Sequence, residues 1–124
     1  MTRIVTFKQN PANDVSTSVE RIMPTRKLRC SAARRDAGGG GINVARVVRR
    51  LGSEVTAIYP RGGATGQLLS RLVEREGIAS DTLEIAEETR EDFSVHGETS
   101  AKQFRFVLPG PALAETEWRA CLDA

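Results

Sequence analysis

Charge of one sign, aromatic residues, cysteines and long apolar runs are all scarce in this chain of 124 residues, and each scarcity narrows the classes of function open to it. Lysine and arginine number 18 against 16 acidic residues, and a net charge of +2 argues against broad nucleic-acid binding. No apolar run approaches the roughly 18 residues needed to cross a bilayer, and Ile4-Val5-Thr6-Phe7 is too short for a signal core, so the expected address is cytoplasmic. Cys30 and Cys121 stand far apart without metal-type spacing and are expected as free thiols. His96 has no companion histidine and no Ser or Cys at a recognisable elbow, so it reads as a strand residue rather than a general base. No two-histidine or carboxylate–histidine spacing offers a metal site. One Trp, one Tyr and four Phe are few, yet the 40% hydrophobic content against 27% charged is that of a folded chain. Its length allows one domain, burying about two-thirds of the surface that the unfolded chain exposes.

What the chain does contain is glycine in places that matter. Arg3 to Phe7 is rich in β-branched residues and ends in the polar Lys8-Gln9-Asn10-Pro11, which predicts a strand and a loop. Val15 to Ile22 and Leu28 to Arg34 flank Met23-Pro24-Thr25-Arg26 and read as a wet hairpin. After Gly38-Gly39-Gly40-Gly41, the residues Val44, Val47, Val48 and Leu51 recur at helical spacing, with Arg46, Arg49 and Arg50 on the other side and Gly52 as the stop. Val55 to Tyr59 follows as a strand, and strand, glycine run, helix, strand is the pattern of a right-handed crossover between parallel strands. A second turn, Gly62 to Gly66, opens a helix bearing Leu68, Leu69, Leu72 and Val73 and ended by Gly77; Thr82 to Ile85 is a third strand. Asp92 to Glu98 and Gln103 to Leu108 predict a hairpin in which Phe93, Val95, Phe104 and Phe106 alternate as an apolar, covering side. Beyond Pro109-Gly110-Pro111, the residues Ala114, Trp118, Cys121 and Leu122 space out as the buried side of a last helix, with Trp118 as core. The fold class is α/β.

The four-glycine run removes every Cβ from the approach to a helix start and leaves backbone N–H groups free, which suits a polar or anionic ligand; the alternative is a flexible loop. No Gly-Lys-Ser/Thr follows it, and Asn43 occupies the place of the third dinucleotide-fingerprint glycine, so a nucleotide phosphate is weakly supported. Asn43 can donate and accept at once, which suits sugar hydroxyls. Asp14, at the end of the first strand's loop, accepts from hydroxyls if it faces the glycine turn, and otherwise forms a turn. Arg90 and Arg105 are a candidate phosphate clamp, Arg105 lying on the side of its strand opposite Phe104 and Phe106; Lys27 and Arg29 are weaker anion-binding candidates.

Gly39-Gly40-Gly41-Ile42-Asn43-Val44-Ala45, then Gly52 and Gly62, resembles the first signature of the pfkB (ribokinase-like) carbohydrate kinases in content and spacing. Lys27 to Cys30, Gly38 to Arg46, Ala57 to Pro60, Gly62 to Gly66, Thr89-Arg90 and Gln103 to Leu113 are similar to the minor-type 6-phosphofructokinase branch. The resemblance implies the amino-terminal portion of a ribokinase-like fold: a mainly parallel sheet flanked by helices, with core segments 1–12, 38–88 and 109–124 and a β lid formed by 13–37 and 89–108. It implies ATP-dependent phosphorylation of a sugar phosphate, fructose 6-phosphate in that branch, with ATP and Mg2+ as cofactors and a homodimer formed through the lid. It makes Asp14, Gly39, Gly40, Gly41 and Asn43 sugar contacts and matches Arg90 and Arg105 to phosphate ligands, while Lys27 and Arg29 match basic lid positions of open role. The family's Gly-Ala-Gly-Asp motif, whose Asp takes the proton from the attacking hydroxyl, has no counterpart here, since no Gly-x-Gly-Asp occurs in the sequence. No catalytic residue is therefore assigned, and the chain alone is expected to be inactive. The alternatives are a short non-catalytic module that binds a sugar phosphate or dimerises, and, further off, a dinucleotide-binding module. Substrate choice among fructose 6-phosphate, fructose 1-phosphate and tagatose 6-phosphate rests on likeness alone, and the isolated chain is expected to be aggregation-prone at its open sheet edge and helix faces.

Overall fold

Three short β-rich segments far apart in the sequence meet in one parallel sheet in a computed structural model that describes residues 3–124. Strand β1 (Ile4–Phe7) pairs with β4 (Val55–Arg61), which pairs with β5 (Ala79–Glu84), in the order β1-β4-β5. Parallel neighbours need a crossover, and the two amphipathic segments supply it: α1 (Gly40–Arg50) joins the sheet before β4, and α2 (Gly63–Arg75) joins β4 to β5. Tyr59, Ile42, Leu69 and Val73 are fully buried between sheet and helices, each contributing roughly 1.5–3 kcal/mol by the area it removes from water. The Tyr59 hydroxyl, trapped in that core, shares hydrogen bonds of 3.0 Å with the hydroxyls of Ser70 and Ser80. Helix α3 (Glu115–Asp123) follows the proline-rich stretch and rests on the end of β5, where the Ala86 N–H donates to Glu117 at 2.7 Å.

The second sheet has four strands in the order β3-β2-β6-β7: β2 (Ala12–Val19), β3 (Arg34–Gly38), β6 (Arg90–Gly97) and β7 (Gln103–Val107). Two antiparallel pairs, β2 with β3 and β6 with β7, are joined side by side by a parallel pairing of β2 with β6 that runs from Ala12 opposite Arg90 to Val19 opposite Gly97. The buried Asn13 amide donates to the Thr65 carbonyl at 2.9 Å and so fixes the start of β2 to α2.

Four expectations need correction. The return strand of the first hairpin is Arg34–Gly38, and residues 28–33 form no strand; Ser31 alone continues alongside β2, donating to the Ser18 carbonyl at 2.8 Å. The buried side of α1 is Ile42 and Ala45, with Val48 packed at its margin, whereas Val44, Val47 and Leu51 are 54%, 55% and 79% exposed. Both apolar stripes obey helical spacing, and only the sheet below decides which is covered. Phe93, Phe104 and Phe106, expected on a covering side, are exposed, with Phe93 opposite Phe106 and Val95 opposite Phe104 on one face. Trp118 is not core either: it is exposed on α3, with the Arg119 guanidinium 5.0 Å from its ring centroid.

Candidate functional site

Two glycine turns open two helices, and only one of them leaves its backbone donors unspent. At α2, Gly62 N–H donates to the Thr89 hydroxyl at 3.0 Å, and Thr65 N–H donates to the Glu88 carboxylate at 3.3 Å. The Thr65 hydroxyl also donates to Glu88, and with that N–H it holds the Glu88 carboxyl below its ordinary range. The chain thus supplies its own anion at the amino end of α2. At α1 no side chain caps the turn among the described residues, and the helix carries no acidic residue. This is the helix start that retains free N–H groups for a ligand.

The turn before α1 is shaped by contacts that only glycine permits. Gly39 has φ +122°, a conformation that an L side chain avoids. A Cβ at Gly41 would stand 2.5 Å from the Phe7 carbonyl oxygen, so α1 approaches the carboxyl end of β1 backbone to backbone, and at Gly40 nothing lies within 4 Å. The open edge of the turn therefore sits at the carboxyl end of a parallel strand, where ligands of α/β sheets are held.

Asp14 faces this turn. Its carboxylate occupies the space a Cβ on Gly38 would need, and the residue lies within strand β2 rather than in a turn. The register of the second sheet sets Asp14 opposite both Asp36 and Asp92, and Ser16 opposite Ser94, which in turn lies opposite Arg105. Paired positions share a face, and this face encloses a cavity of about 220 Å3 lined by Asp14, Ser16, Asp36, Asp92, Ser94 and Arg105 among others. Burial pushes the Asp14 carboxyl up, Asp92 adds to the shift, and the guanidinium groups of Arg90 and Arg105 oppose it. Desolvation together with specific charge partners marks Asp14 as a candidate site residue.

The two arginines are unequal. Arg90 is bound to Asp92 at 3.1 Å and donates to the Asn10 carbonyl at 3.2 Å, with its buried Nε unpartnered. Arg105 has no ion-pair partner among the described residues and lines the cavity directly. Lys27 and Arg29 are exposed in the segment between β2 and β3 and do not line the cavity, so the structure does not bring them to the other candidates. Asn43 stands in the first turn of α1 and is exposed. Asp36 and Asp92 escaped the sequence reading; strand alternation in phase with Asp14 and Arg90 was the available signal.

A larger cavity, of about 750 Å3, opens at the amino ends of β1, β4 and β5, lined by Arg3, Arg49, Ser53, Glu54 and Gly77 among others. It is at the wrong end of the parallel strands for a ligand of this architecture and holds none of the predicted site residues. The smaller, more polar cavity is the candidate site.

Residues 1–123 match the model of the pfkB family carbohydrate kinases. The chain is 52% identical over 121 residues to an ATP-dependent 6-phosphofructokinase isozyme 2 from Mycobacterium tuberculosis and 47% identical over 119 residues to the isozyme 2 of Escherichia coli K12, matching 98% and 96% of its own length. It superposes on the crystal structure of phosphofructokinase-2 from Escherichia coli in complex with fructose 6-phosphate with a TM-score of 0.93 and 46% identity, over 99% of its residues. It spans 36% and 38% of those two relatives and 41% of that crystallised chain.

Proposed function

Since the chain belongs to the pfkB family of carbohydrate kinases, and its relatives are ATP-dependent 6-phosphofructokinases, we propose that it is the part of such a kinase that holds the phosphorylated sugar, fructose 6-phosphate. One observation carries this reading: the uncapped start of α1 and the Asp14 carboxylate face each other across Gly38, on the sheet face that also bears Arg105.

In this reading the backbone N–H groups of Gly40 and Gly41 and the amide of Asn43 donate to the sugar oxygens, and Asp14 accepts from its hydroxyls. Arg105 takes the 6-phosphate by a bidentate, charge-assisted pair, and Arg90, already oriented by Asp92, lends its charge. ATP supplies the transferred phosphoryl group in this family, and the Gly-x-Gly-Asp that serves that step there does not occur in this sequence. The chain's own residues bind and orient the acceptor.

Calorimetric titration with fructose 6-phosphate tests this. Arg105→Ala is expected to weaken binding at least tenfold, the loss of about 1.5–3 kcal/mol for a hydrogen bond to a charged group. Saturable binding that Arg105→Ala leaves unchanged would overturn the assignment. The exposed face bearing Phe93, Phe104 and Phe106 supports pairing of two such sheets in a homodimer. Sedimentation equilibrium is expected to report a dimer that Phe104→Ser weakens, and a chain monomeric throughout removes this part of the proposal.

A further inference from the structure

The helix face opposite the apolar residues of α1 carries arginines expected to be solvated, and one of them is not. The Arg46 side chain is only 18% exposed, and its guanidinium spends four bonds on three partners. Nε and Nη2 grip the two oxygens of Glu76, at the carboxyl end of α2, the second bond being 3.0 Å. Nη2 also donates to the Ala37 carbonyl on β3 at 2.6 Å, and Nη1 donates to the Asn43 side-chain oxygen at 2.8 Å. Those partners belong to three different elements, so the guanidinium plane is fixed from several directions before it reaches Asn43.

The chemistry of the pair then decides which way Asn43 faces. Guanidinium has five donors and no acceptor, so the only Asn43 atom that can bond it is Oδ1, whichever way an amide would otherwise flip. With Oδ1 held toward Arg46, the Nδ2 group and its two donors point away from the guanidinium. The sequence allowed Asn43 to donate and accept at once; the structure directs its oxygen toward Arg46 and so fixes which side of the amide donates. Asp14, ionised, is in contrast an acceptor only. We propose that Arg46 is a positioning residue that fixes the orientation of the Asn43 amide, so that its Nδ2 donors and the Asp14 carboxylate read complementary acceptor and donor atoms of one sugar. The inference rests on the sugar-holding reading above for its effect on ligand binding, and on the Arg46–Asn43 pair alone for its effect on the side chain.

Two measurements on the 15N-labelled chain test it. In the first, fructose 6-phosphate and inorganic phosphate are titrated into the unsubstituted chain, Arg46→Gln, Asn43→Ala and the double variant. Arg46→Gln is expected to weaken fructose 6-phosphate about tenfold, the scale of one misplaced hydrogen bond, while phosphate affinity stays within about twofold because the phosphate is held elsewhere. In the Asn43→Ala background the Arg46 substitution is expected to add nothing. Equal losses for both ligands, or full additivity, would mean that Arg46 supports the fold and not Asn43. In the second, the Asn43 side-chain amide signals, assigned by their loss in Asn43→Ala, are followed without ligand. They are expected to be ordered in the unsubstituted chain and mobile in Arg46→Gln; unchanged order overturns the proposal. Should Arg46→Gln not fold, Arg46→Lys keeps the charge beside Glu76 but cannot span three acceptors, and it is expected to free the Asn43 amide in the same way. A chain that binds no fructose 6-phosphate refutes the sugar-holding reading, and the amide signals then decide the role of Arg46 by themselves.

Discussion

Asp14→Asn is expected to raise the melting temperature of the chain at pH 7 while weakening fructose 6-phosphate by about a hundredfold. The two halves come from one cause. Burial raises the Asp14 carboxyl above its ordinary range, and Asp92 reinforces that against Arg90 and Arg105. A group whose pKa is raised by folding stabilises the fold when protonated, a contribution fully present below its unfolded value and lost as pH rises through the raised one. At neutral pH the ionised side chain is therefore carried at a cost, which a neutral asparagine of the same shape removes. The gain in melting temperature should shrink as pH falls through the raised value into the ordinary carboxylate range, where the unsubstituted residue is itself neutral. The ligand loses charge-assisted acceptor bonds, each about 1.5–3 kcal/mol, and the asparagine can turn an N–H where an acceptor is needed. A scaffold residue would give the opposite sign in stability, so a variant that is both less stable and still binds tightly removes Asp14 from the site. Melting curves from pH 4 to pH 8, with calorimetry at pH 7, read both halves.

Incubated with fructose 6-phosphate, ATP and Mg2+, the chain is expected to release no ADP above a protein-free control. Phosphoryl transfer gains its rate from positioning the two substrates in line and from neutralising the charge that spreads over the transferring group. The residues described here address one substrate. In the proposed site Asp14 serves as a hydrogen-bond acceptor, and the sequence contains no Gly-x-Gly-Asp to bring a base and a glycine-rich anion cradle to the attacking hydroxyl. Such machinery is worth far more than any single contact in the sugar site, since enzymes of ordinary power lower barriers by about 8 kcal/mol or more. A coupled assay for ADP decides the matter: turnover that disappears with Arg105→Ala would show that the chain carries its own transfer machinery.

Much of the core was legible because its signals are local. The glycine turn, the helix it opens and the strands on either side have defined spacing, and α2 is ended where Gly77 takes a positive φ. What was not legible is what depends on distant partners. Nothing in Ala12–Val19 announces a parallel partner in Arg90–Gly97, seventy-odd residues on, yet that pairing turns two hairpins into one sheet and sets Asp92 beside Asp14. On α1 two apolar stripes overlap, and periodicity gives the spacing of each without saying that Ile42 and Ala45, rather than Val44, Val47 and Leu51, face the sheet. Arg46 was hidden for the same reason. Its ion-pair partner Glu76 is thirty residues away, and a helical arginine with no acid one turn off looks solvated in sequence. The candidate site divides likewise: Asp14, the glycine turn and Arg105 were named by residue type and place, whereas the commitment of Arg90 to Asp92 needed coordinates.

The most direct measurement is a map of where fructose 6-phosphate touches the chain, read as 1H–15N shift changes of the backbone amides during a titration. The account predicts saturable changes at the Gly39–Asn43 turn, at Asp14 and at Arg105, converging on one affinity. Changes confined to Arg3, Arg49 and Ser53, around the cavity at the other end of the parallel strands, or no changes at all, would contradict it.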